Sequence, residues 1–194
     1  MNKAKTLKRR LGEPRSFLSV AWDTDDILSL VNINPNFQWR DVNWKRDLKN
    51  VFKLQKLIYR ASSCGEIRKM HKYQRLLSKS YNAWLLAVRK VTQDKQGKKT
   101  VGVDGIKNLS PMGRFNLVSL LKTPYFKASP TFRVWRPKPG RDEKRELGMT
   151  NMYDRALQAL VKLSRSPEWE PCFEPNSYGF RPGRSIHDAI EAIF

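Results

Sequence analysis

From Trp44 to Lys90 the chain repeats apolar side chains and cations together at helical spacing, with Asp47 and Glu66 the only acids in the stretch. That doubled periodicity is the strongest constraint on what the chain can fold into. Trp44, Leu48, Val51 and Ile58, thickened by Leu54, Leu57 and Ala61, predict an amphipathic helix over 44 to about 63. Gly65 supplies its stop. A second helix is predicted from about Ile67 to Lys90, with Met70, Tyr73, Leu77, Tyr81, Trp84 and Val88 as its apolar stripe. Two helices joined at a glycine predict a helical hairpin with both basic faces exposed.

The cations form rows of their own. Lys45, Lys49, Lys53, Lys56 and Arg60 line the first helix, and Arg68, Lys72, Arg75 and Lys79 line the second. An ordinary solvated face mixes signs and forms i,i+4 pairs. These rows do not, so they repel themselves until a polyanion neutralises them. Composition agrees: 38 Lys+Arg against 18 Asp+Glu give a formal net charge of +20. Nucleic acid is the leading partner for such a surplus. An anionic membrane surface competes for it, although no uninterrupted apolar run approaches the ~18 residues of a spanning helix. Hydrophobic residues make up 40% of the 194, enough for a folded core in one domain or two small ones.

Residues 1–38 read as a basic extension carrying Lys3, Lys5, Lys8, Arg9, Arg10 and Arg15. It resembles a transit peptide in charge, lacks the apolar centre of a secretory signal, and is expected to be retained. Its acids Asp23, Asp25 and Asp26 read as a helix start or solvated loop, ahead of a turn at Asn34-Pro35-Asn36. Cys64 and Cys172 are isolated, so neither a disulfide framework nor a metal site is expected, and a reducing compartment fits them.

Residues 91–130 read as loop-rich, with turns at Gly102, Gly105, Pro111, Pro124 and Pro130 and a short helix over Phe115–Lys122. Gly97-Lys98-Lys99-Thr100 is no phosphate-binding loop, because Thr92 stands where the upstream glycine belongs. Phe132 to Arg136 predicts a strand, Pro137-Lys138-Pro139-Gly140 a turn, and Lys144 to Leu147 a return: a hairpin with a basic tip. Asn151 or Asp154 caps the next helix, whose apolar positions are Ala156, Leu157, Leu160, Val161 and Leu163. After a loop over 176–185, a last helix starts at Ser185 or Asp188 and is expected to be still running at Phe194. The fold class is α+β, mainly helical. A helical N-terminal domain (39–105) precedes a subdomain (106–194) with a β-hairpin and helices.

Glu174-Pro175-Asn176-Ser177-Tyr178-Gly179-Phe180-Arg181-Pro182-Gly183-Arg184-Ser185, followed by His187-Asp188-Ala189-Ile190, closely resembles a signature of group II intron reverse transcriptases, also called maturases. Arg133 to Gly140 resembles their fingers hairpin, and Tyr153 to Leu160 the helix after it. Leu86 to Asp94 and Gly97 to Gly105 resemble their N-terminal RNA-binding extension. The resemblance covers roughly residues 39–194 and implies that this region grips intron RNA and holds a template. It agrees with RNA contacts by the nine cations above and implies further ones by Arg89, Lys90, Lys98, Lys99, Arg133, Arg136, Arg181 and Arg184. It also implies that Lys138 and Arg145 meet the triphosphate of an incoming nucleotide. The chain departs from the family at Glu146, where proline is usual, at Thr150-Asn151 for Pro-Thr, and at Ser164-Arg165-Ser166 for an apolar stretch.

Polymerase chemistry needs two metal ions held by carboxylates. The family draws these from a palm whose first aspartate would lie just past Phe194. The expectation is therefore an RNA-binding chain in a ribonucleoprotein, without catalytic residues, cofactor or metal of its own, and with no membrane partner. The alternative is one half of a split reverse transcriptase, docked through Ala189, Ile190, Ala192, Ile193 and Phe194 to a polypeptide carrying the palm and thumb. An organelle, chloroplast or mitochondrion, is the expected location, with a bacterial cytoplasm as the alternative.

Overall fold

The computed structural model describes residues 38–94, 101–106, 108–123, 129–140 and 142–193. The basic extension up to residue 37, Lys98 and Lys99, Pro124, and Phe194 lie outside the described residues.

Helix α1 spans Trp44–Ser63, as its periodicity predicts. Asn43 caps it by accepting the Arg46 amide at 3.1 Å. It ends in a Schellman turn: the Glu66 amide reaches Ala61 O and the Gly65 amide reaches Ser62 O, with Gly65 at φ +69. The buried stripe differs from the predicted one. Leu48 and Leu57 are exposed, and the inner face runs through Asp47, Val51, Ile58 and Ala61. Val51, Ile58 and Ala61 are buried as predicted, and an aspartate takes the inner position that apolar counting gave to Leu48.

The predicted second helix is two helices. α2 spans Ile67–Ser78 and α3 spans Tyr81–Arg89. Lys79 and Ser80 leave helical geometry between them, Ser80 at φ −81, ψ 128. The Ser78 hydroxyl bonds back to Gln74 O, and the Trp84 indole N–H takes Ser78 O at 2.7 Å, so the broken turn keeps its polar groups paired. In α3, Ala83 and Leu85 to Val88 are buried, which marks it as the central helix rather than an amphipathic surface one. A single π-helical turn, Lys90–Asp94, continues it.

Helix α4 spans Pro111–Lys122 and starts a turn earlier than expected. Pro111, read as a turn, is its first residue, where a missing N–H costs nothing, and the Ser110 hydroxyl accepts the Gly113 amide. Strands β1 (Phe132–Pro137) and β2 (Lys144–Met149) form an antiparallel pair in which Phe132 faces Met149 and Pro137 faces Lys144. Within the strands only Val134 and Met149 are even half-buried, and Phe132, Trp135 and Leu147 are exposed.

Helix α5 spans Met152–Trp169 and packs against α1, α2, α3 and α4. Two side chains serve its first turn: Asn151 accepts the Asp154 amide at 2.7 Å, and Asp104 accepts the Met152 amide at 2.9 Å. Asp154, the other predicted cap, accepts the Ser129 amide instead. Val161, expected in the core, is exposed, while Ala159 and Ser164 are buried. Helix α6, Ile186–Glu191, starts with a capping box between Ser185 and Asp188. It ends at Glu191 with Ala192 as its C-cap, earlier than the pattern suggested.

Candidate nucleic-acid interface

On α1 and α2 the predicted rows stand in solvent. Lys45, Lys49, Lys53, Lys56, Arg60, Arg68, Lys72, Arg75 and Lys79 are all exposed. Among the described residues none of the nine forms an ion pair. The two acids of the segment explain this. Glu66 pairs with Lys69, and Asp47 is buried on the inner face beside Arg46.

Burial raises the Asp47 carboxyl above the usual carboxylate range, against the pull of Arg46, and its Oδ1 has no hydrogen-bond partner. Burial also pushes the neighbouring Tyr81 phenol up to about 12, with the Asp47 charge adding to the effect. Glu168 differs: burial pulls it upward, but hydrogen bonds from Arg165 and Gln74 outweigh that and hold its carboxyl low.

The other predicted contacts sort by what already engages them. Arg89 lies 4.7 Å over the Trp44 ring and 3.5 Å from Asp94, so it braces α1 against α3. Lys90 is half-buried beside it. Arg181 is buried: its guanidinium bonds Glu170 Oε1 at 2.7 Å and the carbonyls of Glu174 and Ser177. It organises the 174–185 loop and is not presented to a ligand, a correction to its predicted role. Arg184 is exposed, over the Tyr178 ring.

On the β-hairpin, Arg133 pairs with Glu146 across the strands at 2.7 Å, and Lys138 pairs with Glu143 at the turn. Arg136 and Arg145 sit opposite each other in the register, both exposed. The two residues implied for a triphosphate, Lys138 and Arg145, thus differ, one bonded to a carboxylate and one flanked by Glu146. On α6 the predicted docking face is open: Ile190 is exposed, Ala189 half-buried, and Ala192 and Ile193 exposed, with Ile186 beside them.

Sequence reasoning missed a cleft between α1 and α5. Phe52, Gln55, Lys56 and Tyr59 line it on one side, and Lys162, Leu163, Ser166, Pro167 and Glu170 on the other. Phe52 and Tyr59 lie seven residues apart, which puts them on one helical face, and that spacing was the signal available. Cys64 and Cys172 are free and exposed, and among the described residues no group of three His, Cys, Asp or Glu could hold a metal ion. No described helix is long and apolar enough to cross a membrane.

Known proteins resemble this chain in sequence. Residues 39–121 match the N-terminal domain of reverse transcriptase. Maturase-like protein 1 of Euglena gracilis is 30% identical over 158 residues, which cover 77% of this chain and 33% of that protein. Protein YkfC of Escherichia coli is 33% identical over 115 residues, 57% of this chain and 30% of that protein. The group II intron-encoded protein LtrA of Lactococcus lactis is 32% identical over 77 residues, 40% of this chain and 13% of LtrA. The chain therefore spans a third or less of the length of these relatives.

Proposed function

This chain carries the N-terminal region of a group II intron maturase or reverse transcriptase, and we propose that these 194 residues grip structured RNA in a ribonucleoprotein without polymerising nucleotides themselves. One observation carries the reading: nine exposed cations in two helical rows, without ion pairs among the described residues. Each phosphate they neutralise releases condensed counterions and steepens the salt dependence of binding by roughly 0.7 to 0.9 in log–log slope.

The acids support the second half of the reading. Asp104, Asp154 and Asp188 accept backbone amides at helix ends and loops, Glu143, Glu146, Glu168 and Glu170 answer cations, and Asp47 is buried. Each of these eight described acids is thus already engaged or buried. The test is titration of structured RNA against salt, beside a primer-extension assay with magnesium. Steeply salt-dependent binding without extension supports the reading; nucleotide incorporation by the chain alone, or binding indifferent to salt, refutes it.

The apolar side chains of α6 favour a second reading, in which a polypeptide carrying palm and thumb docks at Ala189, Ile190 and Ile193. Co-purification of such a partner, abolished by Ile190→Asp, would establish it. The exposed free cysteines suit a reducing compartment, and an organelle remains our proposed location, with a bacterial cytoplasm as the alternative.

A further inference from the structure

The α1–α5 cleft does something the cation rows cannot. Rows of lysine read phosphate and hold any duplex. The cleft is an apolar recess of about 420 Å³, comparable to pockets that enclose a small ligand. Its α1 wall carries two aromatic rings, Phe52 and Tyr59, 56% and 44% exposed. Both rings are open to solvent and line the same wall of the recess.

A proline in α5 lies at the cleft. Pro167 sits inside α5 and has no N–H to give Leu163 O, its partner one turn back. Gln55 Nε2 from α1 supplies the missing donor at 3.0 Å, and the Ser62 hydroxyl holds Glu168 O at 2.7 Å. Both bonds tie α1 to α5, and Gln55 and Leu163 line the cleft together with Phe52 and Tyr59 from α1, Pro167 from α5, and Pro182. The lining is positive: Lys56, Lys90 and Lys162 against Glu170, whose Oε1 already holds Arg181. Lys56 Nζ lies 4.8 Å over the Phe52 ring.

We propose that this cleft receives an unpaired nucleotide of the bound RNA, its base stacked on Phe52 and Tyr59 and its phosphates met by Lys56 and Lys162. The inference rests on the RNA-gripping function and names what that RNA must present: a bulged or looped base beside duplex. Every base has a π-face, so aromatic walls take any base, and cations at the rim take the phosphates on either side. The lysine over Phe52 turns to phosphate as the base takes its place on the ring.

The experiment uses the whole chain and two hairpin RNAs of equal length, one fully paired and one with a single unpaired fluorescent adenine analogue. The wild type is expected to bind the bulged RNA about tenfold tighter and to quench the analogue. Phe52→Ala and Tyr59→Ala, both at exposed positions, should erase the preference and the quenching, leaving paired-RNA affinity and its salt slope unchanged, while Phe52→Trp keeps both. Equal wild-type affinity for the two RNAs, with salt-dependent binding intact, overturns the cleft inference and leaves the cation rows standing. So does a preference that survives both alanine variants. If neither RNA binds at low salt, the RNA-gripping function itself falls, and this inference with it.

Discussion

The α1–α2 hairpin and the β1–β2 hairpin are both basic, and they treat their charge in opposite ways. Residues 44–79 hold eleven Lys and Arg against two acids; residues 132–149 hold six against three. On the strands, acids stand across from cations or beside them in the turn, and Arg133 and Lys138 are paired. On the helices one acid is buried and the other answers a single lysine, so the rows keep their field. A polyanion gains most where the protein has not already neutralised itself. Under the proposed function, that difference assigns the main grip to the helices and leaves the strands partly self-screened.

The strongest way to break that contrast is to remove the rows. Replacing Lys45, Lys49, Lys53 and Lys56 with Gln is expected to weaken RNA binding roughly a hundredfold at low salt, at up to about 1 kcal/mol per exposed charge pair. It should also flatten the salt slope by about 3. Arg133→Gln with Lys138→Gln should cost far less. Equal losses in the two sets, measured by salt titration, would erase the distinction between the hairpins.

Position matters as well as charge. A Cβ at Gly102 would lie 2.7 Å from Thr150 O and 2.8 Å from Asn151 Cα, backbone atoms at the junction of β2 and α5. Gly102→Ala should therefore cost about 1–3 kcal/mol in chemical unfolding and loosen the base of the β-hairpin. An unchanged denaturation midpoint would contradict so close an approach.

Asp47 tests why the α-hairpin stays unneutralised. Its folded carboxyl is raised by burial, so its contribution is fully present below the unfolded carboxylate range and is lost as pH rises through the folded value. Asp47→Asn should melt close to wild type near pH 3 and a few degrees above it near pH 7. A melting difference that does not change with pH would show that burial does not raise this carboxyl.

The smallest effect sharpens the comparison from the other side. Glu146→Gln frees Arg133, and RNA affinity should rise roughly two- to threefold at low salt, vanishing at high salt. No gain in a binding titration would mean that the β-hairpin stays away from the RNA altogether.

Local chemistry made much of this legible. The bounds of α1, its glycine stop, the cation rows, the β-hairpin, and the Asn151 and Ser185 caps all depend on residues within a turn of one another, and they read correctly. What failed depended on packing and side-chain partners that neither composition nor period records. Leu48 and Asp47 exchanged inside for outside because α1 meets α2, α3 and α5, and no property of residue 48 records that. Ser78 to Ser80 broke a helix whose stripe looked continuous. Arg181 left the candidate contacts because Glu170 and two loop carbonyls claim its guanidinium.

By itself, then, the sequence determined the sign and the spacing of the charge, since both are properties of composition and helical period. Only the tertiary structure decided which charges remain unpaired and where a cleft opens. Those outcomes turn on contacts such as Gln55 with Leu163, 108 residues apart, where a side chain from one helix supplies the bond that a proline denies another.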